Sequence, residues 1–210
     1  MVLVDPEFRR QGIGATLLAR ALSRLDVRGV PCDKLDATSE GKPLHEKLGF
    51  QAEYEIERWM LSRRGKALTK VPAPPSSNEV FELDRNVFGA DRSALLMSFA
   101  EQAPELTLVE RSNERVSGYA FGRKGSEADH LGPWVARDGA SVSKLLDRFL
   151  NRSSGEVVFV DLVKANAWAE RLLAERGFRL SRALTRMFQG ENLNPGQPDS
   201  ICAIAGPEFG

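Results

Sequence analysis

Val4-Asp5-Pro6-Glu7-Phe8-Arg9-Arg10-Gln11-Gly12-Ile13-Gly14 is the stretch on which the fold turns. Residues 1–4, Met-Val-Leu-Val, read as the tail of a β-strand, and Pro6 ends regular pairing because it has no amide hydrogen to donate. Beyond Gly14, the residues Leu17, Leu18, Ala21, Leu22 and Leu25 recur at the spacing of one helical face, with Arg20, Ser23 and Arg24 on the wet side. The string is therefore strand, glycine-bearing turn, amphipathic helix. Amides in the first turn of a helix have no internal partner and carry the positive end of the helix dipole. Gly12 and Gly14 let the backbone approach an anion, and Arg9 and Arg10 add full charges, a combination suited to a pyrophosphate. It is not the dinucleotide fingerprint G-x-G-x-x-G, because Leu17 stands where the third glycine belongs.

The same string resembles the acetyl-coenzyme A loop of the GNAT superfamily of N-acetyltransferases, whose signature is V-x-P-x-x-R-R-x-G-x-G. The kernel Arg9-Arg10-Gln11-Gly12-Ile13-Gly14 matches without departure. The strand Leu35–Thr38 and the helix ending Leu44-His45-Glu46-Lys47-Leu48-Gly49-Phe50 resemble the family as well, so the motifs span residues 2–50. The resemblance implies acetyl-coenzyme A as cosubstrate, bound by Val2, Leu3, Val4, Arg9, Arg10, Gln11, Gly12, Ile13 and Gly14. In the family, pantetheine lies along a splayed strand, here Val2–Val4, and one amide polarises the thioester carbonyl. A neutral amine attacks, and a tyrosine four residues before the Gly-Phe pair often protonates the leaving thiolate. Here His45 holds that position; an imidazole can serve, depending on its charge in the site, and a surface histidine without a role is the alternative.

Further along, a helix is expected over Pro43–Leu48, closed by Gly49, and then a strand to about Leu61 with Tyr54, Ile56 and Met60 on one face. Residues 62–78 read as a stiff, solvated linker, with Pro72, Pro74 and Pro75 and the cations Arg63, Arg64, Lys66 and Lys70. Helices follow at Glu79–Phe88 and Asp91–Glu101. Strands are expected at Glu105–Arg111, Arg115–Lys124, His130–Val135, Glu156–Leu162, Leu180–Gln189 and Asp199–Ala205, with helices at Ala140–Leu150 and Ala165–Glu175.

Leu48-Gly49-Phe50 recurs as Arg176-Gly177-Phe178, an offset of 128 (177 − 49), so residues 1–61 match residues 129–189 or so. The expected fold is α/β, a GNAT-like mixed sheet flanked by helices. Residues 1–61 would form the C-terminal half of one acetyltransferase unit, beginning midway through it, and 79–210 a complete second unit. That second unit is degenerate: Val135-Ala136-Arg137-Asp138-Gly139-Ala140 lacks the paired glycines, and Leu173 stands opposite His45. This pattern resembles tandem GNAT proteins in which the first unit binds the cofactor and the second helps bind substrate. On that resemblance, Asp84, Asp91, Arg92 and Trp134 are candidate substrate-binding residues; a helix cap for Asp91 and a core position for Trp134 are the plainer readings.

The composition sets outer bounds. The chain has 210 residues, 29 basic and 29 acidic, so it lacks the basic excess of a nucleic-acid binder. No apolar run approaches the ~20 residues of a membrane helix, and the charged first residues do not form a signal peptide. Cys32 and Cys202 make neither a disulfide framework nor a zinc site, and His130 has no ligand-spaced partner, so no metal and a reducing cytoplasm are expected. The function expected is acetyl transfer from acetyl-coenzyme A to a primary amine of a small molecule or peptide. The alternatives are a non-catalytic coenzyme A-binding module or an amine-metabolite sensor; oligomeric state is not readable.

Overall fold

Helix α1 (Ile13–Val27) starts where Gly12 takes φ of 79°, and it ends before Gly29, at φ 69°. A computed structural model gives the structure of the chain and describes residues 4–64 and 78–209. Strand β1 (Cys32–Ala37), helix α2 (Lys42–Lys47) and strand β2 (Gln51–Ser62) follow, with Gly49 left-handed at φ 91° after α2. Then come α3 (Asn78–Phe88), α4 (Ser93–Gln102), β3 (Leu108–Ser112), β4 (Arg115–Arg123), β5 (Asp129–Ala136), α5 (Gly139–Arg152), β6 (Val157–Val163), α6 (Ala167–Glu175), β7 (Arg179–Gly190) and β8 (Ile201–Ala203). From α1 onward this is the order expected from the sequence, with shifted ends. Glu105 lies in a 3-10 turn before β3, and β8 is shorter than Asp199–Ala205. Val2 and Leu3, and residues 65–77 of the expected linker, lie outside the described residues. Ser62 closes β2 and Asn78 opens α3.

One eight-stranded sheet joins both ends of the chain in the order β1-β7-β2-β6-β8-β5-β4-β3. The stretch after Ser62 does not divide it. Strand β2, from before that stretch, sits between β7 and β6, from after it, and pairs antiparallel with both. Strand β7 in turn fills the space between β1 and β2. Ile56 faces Leu184 at the 128-residue offset of the Gly-Phe repeat (184 − 56). The parallel strands β5 and β6 pair only at Asp129–Leu131 with Val158–Val160, and then part. Strand β8 fills the gap, pairing antiparallel with β5 at Trp134–Ala203 and with β6 at Leu162–Ala203.

The core lies mostly on the downstream half. On one face α5 and α6 pack against β4, β5 and β6; Val142, Leu145, Leu146 and Phe149 of α5 are all buried. Each such side chain contributes about 1.5–3 kcal/mol through burial. On the other face α3 and α4 cover Ile56, Tyr119, Val135, Val163 and Leu184. Upstream, the only buried cluster among the described residues is Ala37, Phe50 and Met187, with Leu22, Leu35 and Leu48 packed beside it. Helix α1 has no buried residue. Its expected apolar face is only partly covered: Leu18, Leu22 and Leu25 are half-buried, whereas Leu17 is 50% exposed.

Candidate active site

The loop between Val4 and α1 is drawn tight by its own polar groups. Asp5 accepts from the Glu7 amide (3.0 Å) and caps a 3-10 turn at Pro6–Phe8. Arg9 Nε donates back to the Val4 carbonyl (3.0 Å), and Arg10 takes a positive φ of 61°. The Gly12 carbonyl accepts from the Thr16 amide (2.9 Å) and hydroxyl (3.0 Å), so the helix has begun while its N-cap carries no side chain. The amides of Ile13, Gly14 and Ala15 make no hydrogen bond among the described residues, and Arg9, Arg10, Gln11 and Gly12 are exposed. A Cβ on Gly12 would meet nothing within 4 Å; a Cβ on Gly14 would touch Val4 at 3.5 Å. The cradle is open, cationic and lined by free amides, which fits a phosphate.

Strand β1 is the end strand of the described sheet, with β7 on one edge and no described strand on the other. Its row Leu35–Ala37 points toward α1 and α2. On that side His45 packs edge-on against Phe50, with ring centroids 5.8 Å apart. Its Nδ1 is buried without a partner, and its Nε2 faces Gly41. Burial lowers the imidazole's pKa, so His45 is neutral at neutral pH and carries a donatable charge only on the acid side.

The opposite row of β1 carries Asp36, whose carboxylate takes two bonds from Arg186 of β7, at 2.5 and 2.9 Å, both side chains buried. Asp161 of β6 takes the matching bonds from Arg58 of β2, both at 2.7 Å, and a third from His130 (2.8 Å). Arg58 and Arg186 are 128 apart (186 − 58), and Asp36 and Asp161 are 125 apart (161 − 36). Burial pushes the Asp161 carboxyl up, but the hydrogen bonds from His130 and Arg58 outweigh it and bring the pKa down to about 2. Arg123 Nη2 lies 3.2 Å from His130 Nδ1; a guanidinium only donates, so Nδ1 accepts and Nε2–H donates to Asp161. The sequence reading missed both ion pairs. The 128 offset of the Gly-Phe repeat reaches the two arginines but not the two aspartates, which are 125 apart.

The four candidate substrate residues fall elsewhere. Asp84 is buried and takes bonds from Arg92 Nη2 (2.8 Å), from Arg92 Nε (3.0 Å) and from the Tyr119 hydroxyl. Arg92 stacks over Phe88 at 3.8 Å, so the cluster fixes the α3–α4 turn onto β4. Asp91 is exposed, accepts from the Ser93 amide at the start of α4 (2.9 Å) and pairs with Arg85. Trp134 is fully buried on β5.

The loop before α5 is built differently from the one before α1. Asp138 is the N-cap, and its carboxylate accepts from the Ser141 amide (2.8 Å) and hydroxyl (3.0 Å). A hollow of about 420 Å³ lies beside it, lined by Arg115, Ser117 and Arg137. A second cleft, of about 260 Å³, lies between the two ends of the chain, with Lys34, Tyr54, Phe88, Arg186 and Glu191 in its lining. None of Asp84, Asp91, Arg92 and Trp134 lines it. Among the described residues no group of three or more His, Cys, Asp or Glu is placed to hold a metal, and no helix is long and apolar enough to cross a membrane.

Two family models, both for the acetyltransferase (GNAT) domain, match the chain, one over residues 80–201, more than half of it, and one over residues 1–52. The uncharacterised N-acetyltransferase YitH of Bacillus subtilis (strain 168) is 23% identical over 184 residues, which are 85% of this chain and 64% of that protein. The chain thus spans less than two thirds of that relative. A Pyrococcus horikoshii protein solved as a candidate acetyltransferase superposes with a TM-score of 0.79 at 24% identity, over 99% of this chain and 69% of the other. A GCN5-related N-acetyltransferase from Sphaerobacter thermophilus superposes with a TM-score of 0.62 at 17% identity, over 92% of this chain and 72% of the other. At such identities these two likenesses concern the fold. With a family model covering the larger part of its length, the chain belongs to the GNAT acetyltransferase family.

Proposed function

We propose that the chain transfers an acetyl group from acetyl-coenzyme A to a primary amine, with one coenzyme site per chain. The observation that carries this reading is the cradle at Arg9–Gly14, where the first-turn amides of α1 have no partner among the described residues and Gly12 puts no side chain over them. Pyrophosphate oxygens take those amides and the charges of Arg9 and Arg10. Pantetheine then lies along the chain that enters the loop at Val4, using backbone groups as a strand partner would. Val2 and Leu3 would belong to the same wall.

The amine nitrogen forms a bond to the thioester carbonyl carbon, and the carbon–sulfur bond breaks with its electron pair going to sulfur. The nitrogen gives up one proton to solvent, and the sulfur takes one. His45 is the proposed donor to sulfur. It donates from the charged form, and because burial lowers its pKa below the ordinary imidazole value, that form is populated only on the acid side of neutrality.

The second half of the chain is proposed to take no coenzyme. Two features support this. The Asp138 carboxylate occupies the α5 amide a phosphate would need, and β8 fills the gap between β5 and β6 where a pantetheine would have to lie. The two halves are proposed to be related units, which the matched Asp36–Arg186 and Asp161–Arg58 pairs support. In this reading Asp84, Asp91, Arg92 and Trp134 act on substrate only by shaping the half of the chain that faces β1.

Free-thiol release tests the reading. Acetyl-coenzyme A and a panel of primary amines should yield thiol in proportion to amine. Tight coenzyme binding with no amine-dependent thiol would favour the non-catalytic binding module instead.

A further inference from the structure

We infer that the cleft of about 260 Å³ between the two halves is the acceptor site, and that it takes a small primary amine with an apolar body rather than a peptide. The inference rests on the transferase reading above. Cys32 and Lys34 of β1 line the cleft, so it lies against the face of β1 opposite Leu35 and Ala37. Asp36 is next in that row, and Arg186, which holds Asp36, is itself in the lining. The cleft therefore reaches the middle of β1 from one face, while His45 sits on the other face beside Phe50. A thioester held beside β1 would be approached by the amine from one face of that strand and by the proton donor from the other.

Charge selects the ligand. Lys34 is paired with Glu53 at 2.9 Å, and Arg186 with Asp36. Glu191, an exposed residue of the lining, makes no ion pair among the described residues, so with Lys34 and Arg186 already paired its carboxylate is the lining charge left for a ligand. An ammonium group answers it. The Tyr54 hydroxyl makes no hydrogen bond among the described residues and stays protonated, since burial raises its pKa. It is a second polar contact. Phe88, Leu193 and Pro195 supply apolar wall for the rest of the molecule. The volume sits just below the roughly 300–1,000 Å³ of pockets for drug-sized ligands, enough for a compact amine. Phe88 and Leu193 come from the half of the chain that holds no coenzyme, so that half gives the other its acceptor wall.

Calorimetric titration with 2-phenylethylamine tests this, alongside a separate titration with coenzyme A. The wild-type chain should bind the amine, and Glu191→Gln should weaken it about tenfold or more, the worth of a hydrogen bond to a charged group, with coenzyme A affinity unchanged. Equal amine affinity in the variant overturns the site. A lysine-bearing hexapeptide acetylated faster than 2-phenylethylamine overturns the ligand class. Glu191-dependent amine binding without any coenzyme A binding would leave the cleft standing and remove the transferase reading, so the two failures are told apart.

Discussion

Helix α1 begins on a glycine and helix α5 on an aspartate, and the two ends of the molecule differ accordingly. At α1 the first amides have no partner among the described residues, and Arg9 and Arg10 beside them are exposed cations. At α5 a carboxylate already holds an amide, and the strand gap next to it contains β8. The core follows the opposite trend: α5 buries five residues and α1 none. The closed half is the packed one, and the open half leans on it through β2 and β7. A binding site and a stable core compete for the same groups. An amide kept free for a ligand stabilises nothing until the ligand arrives.

The largest effect should come from closing the open end. Gly12→Asp places a carboxylate over the first amides of α1, in space where a Cβ meets nothing within 4 Å, and since any side chain at a φ of 79° also strains the turn, Gly12→Asn measures that strain without the charge. Coenzyme A affinity measured by calorimetry should fall by more than about 100-fold, from lost anion contacts and added like charge. Unchanged affinity would remove the cradle assignment.

Next in size is His45→Ala. Its kcat should drop by roughly 100-fold with coenzyme A affinity little changed. In the wild type, a donating His45 makes kcat rise as pH falls through the region below about 6.5, and the variant should lose that limb. A flat comparison of the two profiles would return His45 to a packing role against Phe50.

The paired carboxylates offer a third contrast. Asp161, held at about 2, is favoured in its charged form by the fold, so its contribution is present above the ordinary carboxylate value and is lost as pH drops toward 2. That contribution is roughly 2 kcal/mol. Asp36 has one cationic partner where Asp161 has two hydrogen-bonding ones, and burial raises its pKa instead. Chemical denaturation between pH 4 and pH 2 should therefore show a flattened slope in Asp161→Asn and not in Asp36→Asn. The smallest effect is Asp138→Ala, which removes a helix cap and should cost about 1 kcal/mol of stability with no change in coenzyme A affinity. A change in that affinity would show that the second loop does bind phosphate.

Local elements were legible in the sequence because periodicity and glycine punctuation decide them. The apolar spacing marked α5, and Gly49 and Gly177 marked the ends of α2 and α6. The cradle was legible for the same reason: its residues are contiguous. Strand partnership was not. Periodicity says that β2 is a strand, but not that it lies between β7 and β6, and Arg186 reaches Asp36 across 150 residues of sequence. Asp84 and Arg92 read from sequence as candidate substrate contacts, because nothing local reveals that they pair with each other and that Tyr119 and Phe88 complete their burial. Glu191 follows β7 in a loop without a pattern of its own, and only the folding of that loop against Phe88 makes it part of a cleft.

The central claim is one coenzyme site per chain, at the open loop. Hydrogen exchange with and without saturating coenzyme A, combined with calorimetric stoichiometry, tests it most directly. The account requires one coenzyme per chain, with slowed exchange at Ile13–Ala15 and along β1 and no change at Gly139–Ser141. Two coenzymes per chain, or protection centred on Gly139–Ser141, would contradict it.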